Sequence, residues 1–455
     1  MNLGLLSRLF LILMVTDGLG QAAGTRSRTP SFPLRVSANH RFLEDKAGHP
    51  FLYTADTPWH LFTQLTREET ERYLADRSER GFSAIQVMLV PEGSSASATN
   101  RFGDPLFLTP FDLATPNEKY LAHVDRTLRR AEAHGLLVAM NPAWLGCCDG
   151  GWRDILKTNG VAKCRAYGEF LGTRFATHSN LLWLEGGDRD PGPWLDFVRA
   201  IAEGIKAKAP LQLHTAHASS THSSLDVYPH ESWLDVNATY TYSADHVGAW
   251  ANQFHVYHCS KLDWQRTSPM PFLLVESTYE LEHGASAQKI RRQAWWSVLS
   301  GSFGQAMGNG KIWPFRIGWE KELGSPSSIQ MGLLGKFLQP RLWWDLTPDF
   351  DHTILTAGFG TYNGTQQPGG DDYATVMFGA NRGLLLAYLP TPRKVTVDLA
   401  KFRAPVHVRW FDPTNGKLAD APGSPEANLG PDDFTPPTRN ATGDGDWVLV
   451  IEAIK

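Results

Sequence analysis

"PFLYTADTPWHLFTQLTREETERYLADRSERGFSAIQ" (50–86) holds a strand, a helix and the start of a second strand. The apolar run 50–56 is short and rich in strand-favouring side chains, so it reads as a buried strand. Thr66-Arg67-Glu68-Glu69 has the spacing of a capping box, and Gly81 ends the helix that it opens. "SAIQVMLVPEG" (83–93) is the next apolar run. The turn after the first run decides the fold class. A doubly wound dinucleotide-binding sheet wants a Gly-rich turn there, and "TADTPWH" (54–60) is not one.

The alternation continues outward from this unit. Further apolar runs are "LLVAMNPAW" (136–144), "NLLWLEGGD" (180–188), "LQLHTAH" (211–217), "LDVNATYTY" (234–242), "PFLLVES" (271–277) and "SFGQAMGNG" (302–310). Helical patterns separate them, among them 117–135, which ends in Gly135, and 286–301. Eight runs of this kind predict a (β/α)8 barrel over 31–340, preceded by a hairpin that turns at Lys46-Ala47-Gly48. Past residue 340 the helical pattern stops. Short strand-like runs with turn residues between them predict an antiparallel β-sandwich over 345–455, with 422–446 as a long loop.

Composition narrows the function. The 455 residues carry a net charge of −4 with acids and bases interspersed, so the basic face of a nucleic-acid binder is missing. Residues 1–24 carry Arg8, the apolar stretch Leu9–Val15 and the small residues Ala22–Gly24. That is the pattern of a signal peptide, so a secreted or periplasmic protein is expected, with no membrane span after cleavage. The four cysteines, Cys147, Cys148, Cys164 and Cys259, lack metal-ligand spacing. Either one of the adjacent pair bridges to Cys164, or Cys164 is a buried helical thiol. No metal and no cofactor are expected.

In a barrel, chemistry sits at the carboxyl ends of the strands. Here those ends are Asp56, Glu92, Asn141, Trp144, Glu185, Asp188, His214, His217, Tyr240, Tyr242, Glu276 and Asn309. Asp188 after strand four and Glu276 on strand seven form a candidate pair of carboxylates. Such a pair can flank a glycosidic bond, one acid protonating the leaving oxygen and the other attacking carbon or activating water. The bland alternative pairs Asp188 with Arg189. Asp56, Asn141, Trp144, Glu185, His214, His217, Tyr240 and Tyr242 are candidate substrate contacts, with turn capping as the other reading of Asp56. Trp144, Trp152 and Trp313 are candidate sugar platforms. Loops 94–116 and 144–165 are where specificity is expected to lie.

The segment 50–86, "WLEGGD" (183–188) and "PFLLVESTYE" (271–280) resemble the apiosidase-like catalytic domain of glycoside hydrolase family 140, over about 34–340. "VRWFDPTNGKL" (408–418) and "DWVLVIE" (446–452) are similar to the small collagen-binding-type domain that commonly follows it. The resemblance implies a barrel enzyme acting on side chains of plant polysaccharides, with Asp188 as acid/base and Glu276 as nucleophile. Glu185 departs from the family pattern, in which the residue before the two glycines is usually uncharged. A second acid there either raises the pKa of Asp188 or takes over its role. Two rivals remain at this level. One is a non-catalytic carbohydrate- or matrix-binding protein, which has no need of both Asp188 and Glu276. The other is a metal-dependent hydrolase using His214, His217 and Asp226.

Overall fold

The computed structural model describes residues 29–89, 99–147, 150–242 and 254–454. The expected leader 1–24, Glu92 and Cys148 lie outside them. Eight parallel strands form one sheet: Tyr53–Asp56, Ala84–Met88, Leu137–Asn141, Leu181–Gly186, Leu213–His217, Asn237–Tyr240, Phe272–Glu276 and Gly304–Met307. They are called barrel strands one to eight. Each coincides with one of the apolar runs.

Strand eight pairs with strand one, Met307 opposite Asp56, so the sheet curls back on itself. The seam between strands five and six is bridged by the Asp235 and Val236 amides, which both donate to the His214 carbonyl at 3.0 Å. These bonds bring the two ends of the sheet together and complete the barrel without a strand ladder between five and six. After the short helix Leu61–Gln64 comes the first long helix, Arg67–Arg80, and its cap is the one the sequence requires. Thr66 Oγ1 accepts from the Glu69 amide and Glu69 Oε2 accepts from the Thr66 amide. Gly81 ends it at φ 101°.

Ahead of the barrel, Leu43–Glu44 and Pro50–Phe51 form the expected hairpin, and Arg35–Val36 adds a third strand. The C-terminal region is a sandwich of a six-stranded and a three-stranded antiparallel sheet. One expectation needs correcting. The presumed loop 422–446 contains the strand Pro431–Phe434, which pairs with Val395–Asp398. Its sequence, Pro-Asp-Asp-Phe, lacks the apolar alternation that marks a strand, because only Phe434 of the four is buried.

The two domains share a core. Leu386, Tyr388, Phe411, Val448 and Val450 of the sandwich are continuous with the barrel's apolar interior. Phe337 packs on Phe411 with centroids 4.1 Å apart, and Trp295 stacks on Tyr388. Beside these rings Arg291 grips Asp446 through Nε at 2.7 Å and Nη2 at 2.6 Å, with both side chains fully buried. Cutting the chain near 345 therefore exposes an apolar face and strands a buried guanidinium. Cys164 is the buried helical thiol of the two alternatives, on the helix Arg153–Phe175 and in no disulfide. No described helix is long and apolar enough to cross a membrane.

Candidate active site

After strand four the chain turns sharply. Gly186, Gly187 and Asp188 take φ of 74°, 130° and 53°, a run of left-handed conformations. The two glycines are required by space as well as by φ. A Cβ on Gly186 would come 2.6 Å from the His217 carbonyl oxygen, and one on Gly187 would come 2.4 Å from the Trp144 ring. Asn141 holds this bend from below, its Nδ2 donating to the carbonyls of Leu184 and Gly186 at 2.7 and 2.9 Å.

The turn delivers Asp188 to two residues on other strands. One ligand atom each of Asp188, His217 and Glu276 lies within 4.8 Å of the other two. Glu276 Oε2 lies 2.7 Å from His217 Nε2. His217 Nδ1 lies 3.1 Å from both the Asp188 amide, which donates to it, and the Ala218 carbonyl. With Nδ1 accepting from Asp188, or with the ring doubly protonated and donating to Ala218, Nε2–H points at Glu276 in either state. Burial pulls the His217 pKa down, but the hydrogen bond and charge of Glu276, with the charge of Asp188, outweigh it and leave the pKa raised. Tyr240 donates to Asp188 Oδ1 at 3.3 Å.

Aromatic rings close around the acids. His217 contacts Tyr240, Tyr240 contacts Tyr242, and Tyr242 contacts Tyr279. Tyr279 accepts from the Trp59 indole at 2.7 Å, Trp59 packs on Trp144, and Trp144 returns to His217. Burial, the Glu276 charge and a hydrogen-bond interaction with Glu276 hold the Tyr279 phenol far above its usual range. Tyr279 and Trp59 were not singled out from the sequence, although both lie in the quoted motifs "ESTYE" and "TPWH". Three residues after a strand-end acid is a position from which a side chain can return to it.

Residues 37–345 match the family model "Apiosidase-like, catalytic domain". The chain belongs to the apiosidase-like family. That membership makes it a glycoside hydrolase. Residues 365–452 match a second model, "Putative collagen-binding domain of a collagenase". Among solved structures, one described as a glycoside hydrolase is 24% identical at a TM-score of 0.79, over 93% of this chain and 98% of its own. A glycoside hydrolase family 5 protein from Bacteroides vulgatus is 22% identical at 0.80, covering 92% and 93%. At such identities the likeness is one of fold, and it spans barrel and sandwich together. No curated protein sequence matches the chain.

The apiosidase-like barrel separates the sequence candidates into three groups. Asp188, His217, Tyr240 and Glu276 come together, with Tyr242 and Trp144 in the ring around them. Asn141 supports the bend through backbone carbonyls and is itself fully buried. Asp56, Glu185 and His214 are elsewhere. Asp56 has no solvent exposure; it accepts from Tyr73 at 2.7 Å, from Arg77 at 3.1 Å and from the Thr57 amide at 2.9 Å. It caps the turn and anchors the helix Arg67–Arg80, and offers nothing to a sugar.

Glu185 and His214 pair with each other, Oε1 to Nδ1 at 3.1 Å, on the outer side of the barrel wall. His214 packs there between Trp183 and Trp233. Side chains alternate along a strand, so residues three apart face opposite ways. That parity places His217 inside and His214 outside. Desolvation raises the Glu185 pKa far above the carboxylate range and depresses that of His214 below the imidazole range. Both shifts disfavour the charged forms, so burial works against an ion pair here. The metal set weighed above is likewise not assembled: Asp226 is committed to Arg266 and to the Ser223 amide. Trp152 is buried against Phe107, whereas Trp313 is half-buried at the rim.

Proposed function

We propose that this glycoside hydrolase removes a terminal sugar, apiose by family resemblance, from plant cell-wall polysaccharide side chains with net retention of configuration. Glu276 attacks the anomeric carbon while Asp188 protonates the departing oxygen, so the glycosidic C–O bond breaks as the glycosyl ester forms. Asp188, now ionised, takes a proton from water; the water oxygen attacks the anomeric carbon, and Glu276 leaves as carboxylate. His217 holds Oε2 of Glu276, which leaves the other oxygen for attack. Tyr240 holds Asp188 and steadies its charge between the two steps.

The observation that carries the two-carboxylate reading is the proximity of the acids, one oxygen of each within 4.8 Å; retention is the part that the product's anomer tests. Retaining enzymes place their carboxyl groups about 5–5.5 Å apart, and inverting enzymes about 6.5–9.5 Å apart to admit a water. The test is an NMR time course on an apiose-bearing pectic oligosaccharide. The first product is expected to keep the substrate's anomeric configuration, and an inverted first product would overturn the assignment of Glu276 as nucleophile. We further read residues 1–24 as an export leader. N-terminal sequencing of the exported protein is expected to begin just after Ala22 or Ala23.

A further inference from the structure

In the aromatic wall around the acids, Trp59, Trp144, His217, Tyr240 and Tyr279 are buried, whereas Tyr242 and Trp313 are half-buried. The partly exposed rings here are thus Tyr242, after strand six, and Trp313, after strand eight. One carboxylate ties them together. Glu282 Oε1 accepts from the Trp313 indole N–H at 2.7 Å, and Glu282 Oε2 accepts from the Tyr242 hydroxyl. Tyr242 packs in turn on Tyr240 and Tyr279, which contact Asp188 and Glu276. We propose that Glu282 is a positioning residue for substrate binding, fixing Trp313 and Tyr242 as one rigid wall for a sugar ring. The proposal rests on the glycosidase reading above.

The surrounding chain is shaped to put Glu282 there. Its neighbours Leu281 and His283 both take left-handed backbone conformations, φ 67° and 49°, which are unfavourable for side chains of their kind. Across from it a Cβ on Gly310 would come 2.9 Å from Glu282 Cγ. A Cβ on Gly308 would come 2.2 Å from the Tyr279 ring. The two glycines of "MGNG" (307–310) thus leave room for the clamp and for the phenol next to the nucleophile. An indole or phenol that swings freely must be ordered when a sugar arrives, and that cost weakens binding. With both rings held beforehand the cost falls outside the binding step.

The test compares Glu282→Gln, Glu282→Ala, Trp313→Phe, Gly310→Ala and the double variant Glu282→Ala/Trp313→Phe in the full chain, each checked for native melting. Kinetics are read on 4-nitrophenyl β-D-apioside and on an apiose-bearing pectic oligosaccharide, and the Trp313 resonance is followed by 19F NMR with fluorotryptophan. Glu282→Ala is expected to raise KM about tenfold with kcat changed less than threefold, and to broaden or shift the Trp313 signal. Gly310→Ala should copy it, and Glu282→Gln, keeping one acceptor, should fall between. The double variant should lose less than the product of the two single losses, as expected for residues acting as a unit. Multiplying losses, a fall in kcat at constant KM, or an unmoved Trp313 signal would each overturn the proposal. The glycosidase reading fails separately, through retained activity in Glu276→Gln; the 19F signal still tests the clamp in that event.

Discussion

The two histidines of strand five sit in two carboxyl–imidazole neighbourhoods built from the same residue types. On the inner side, His217 sits 2.7 Å from Glu276 and beside Asp188, and its pKa is raised. On the outer side, His214 sits 3.1 Å from Glu185, and its pKa is depressed. The inner histidine has two acids around it, one of them on a half-exposed turn, so charge is stabilised there. The outer one has a single acid in a wall of tryptophans, where desolvation dominates and disfavours charge on both partners. Residue identity does not decide the chemistry. Strand parity and the number of nearby charges do.

Glu276→Gln should break the inner site most completely, lowering kcat by about four orders of magnitude or more, as removal of a covalent nucleophile does. Circular dichroism should stay native, because the amide keeps the shape and can still accept from His217. His217→Gln is the next largest change. It is expected to cost about 10- to 100-fold in kcat, since a flexible neutral amide replaces the rigid, charge-assisted donor that orients Glu276. It should also alter the pH dependence of stability. The folded His217 pKa is raised, so its stabilisation is complete below its unfolded value of about 6.5 and is lost as pH rises through the folded value. Wild type should therefore lose stability with rising pH above neutrality more steeply than His217→Gln in denaturant titrations. Equal slopes would remove the charged-imidazole account.

On the outer side the expected effect is small and of opposite sign. The Glu185 pKa is also raised, so the folded chain must hold a proton that the unfolded chain releases above about pH 4.3. Glu185→Gln keeps a hydrogen-bond donor for His214 without needing that proton. Its melting temperature at pH 7 should rise by about 1–4 °C, with a larger gain at pH 8 than at pH 6. A lower melting temperature at pH 8 would mean that the wild-type pair is ionic.

Much of this molecule could be read from its residues. All eight barrel runs became strands, and "TREE" (66–69) became the capped helix start, because both signals are local. The acids Asp188 and Glu276 were legible as strand-end carboxylates. Asp56, Glu185 and His214 were misplaced because a strand end has two faces, and in a fully apolar run such as "LLWLE" alternation does not mark which is which. Asp56 shows the limit well: its partner Arg77 is 21 residues on, and helix phase alone brings it back. Glu282 and Tyr279 were missed because their roles exist only once the loops after strands six, seven and eight are assembled. The strand Pro431–Phe434 was missed because it buries a single side chain.

The claim that the inner acid and not the outer one donates the proton is tested most directly by leaving-group dependence. Asp188→Asn and Glu185→Gln would each be assayed on an aryl glycoside with a good leaving group and on one with a poor leaving group. Asp188→Asn should lose about 10²- to 10⁴-fold on the poor leaving group, the usual worth of a general acid, and less than tenfold on the good one. Glu185→Gln should stay within twofold of wild type on both. The reverse pattern, leaving-group dependence in Glu185→Gln and none in Asp188→Asn, would contradict the account.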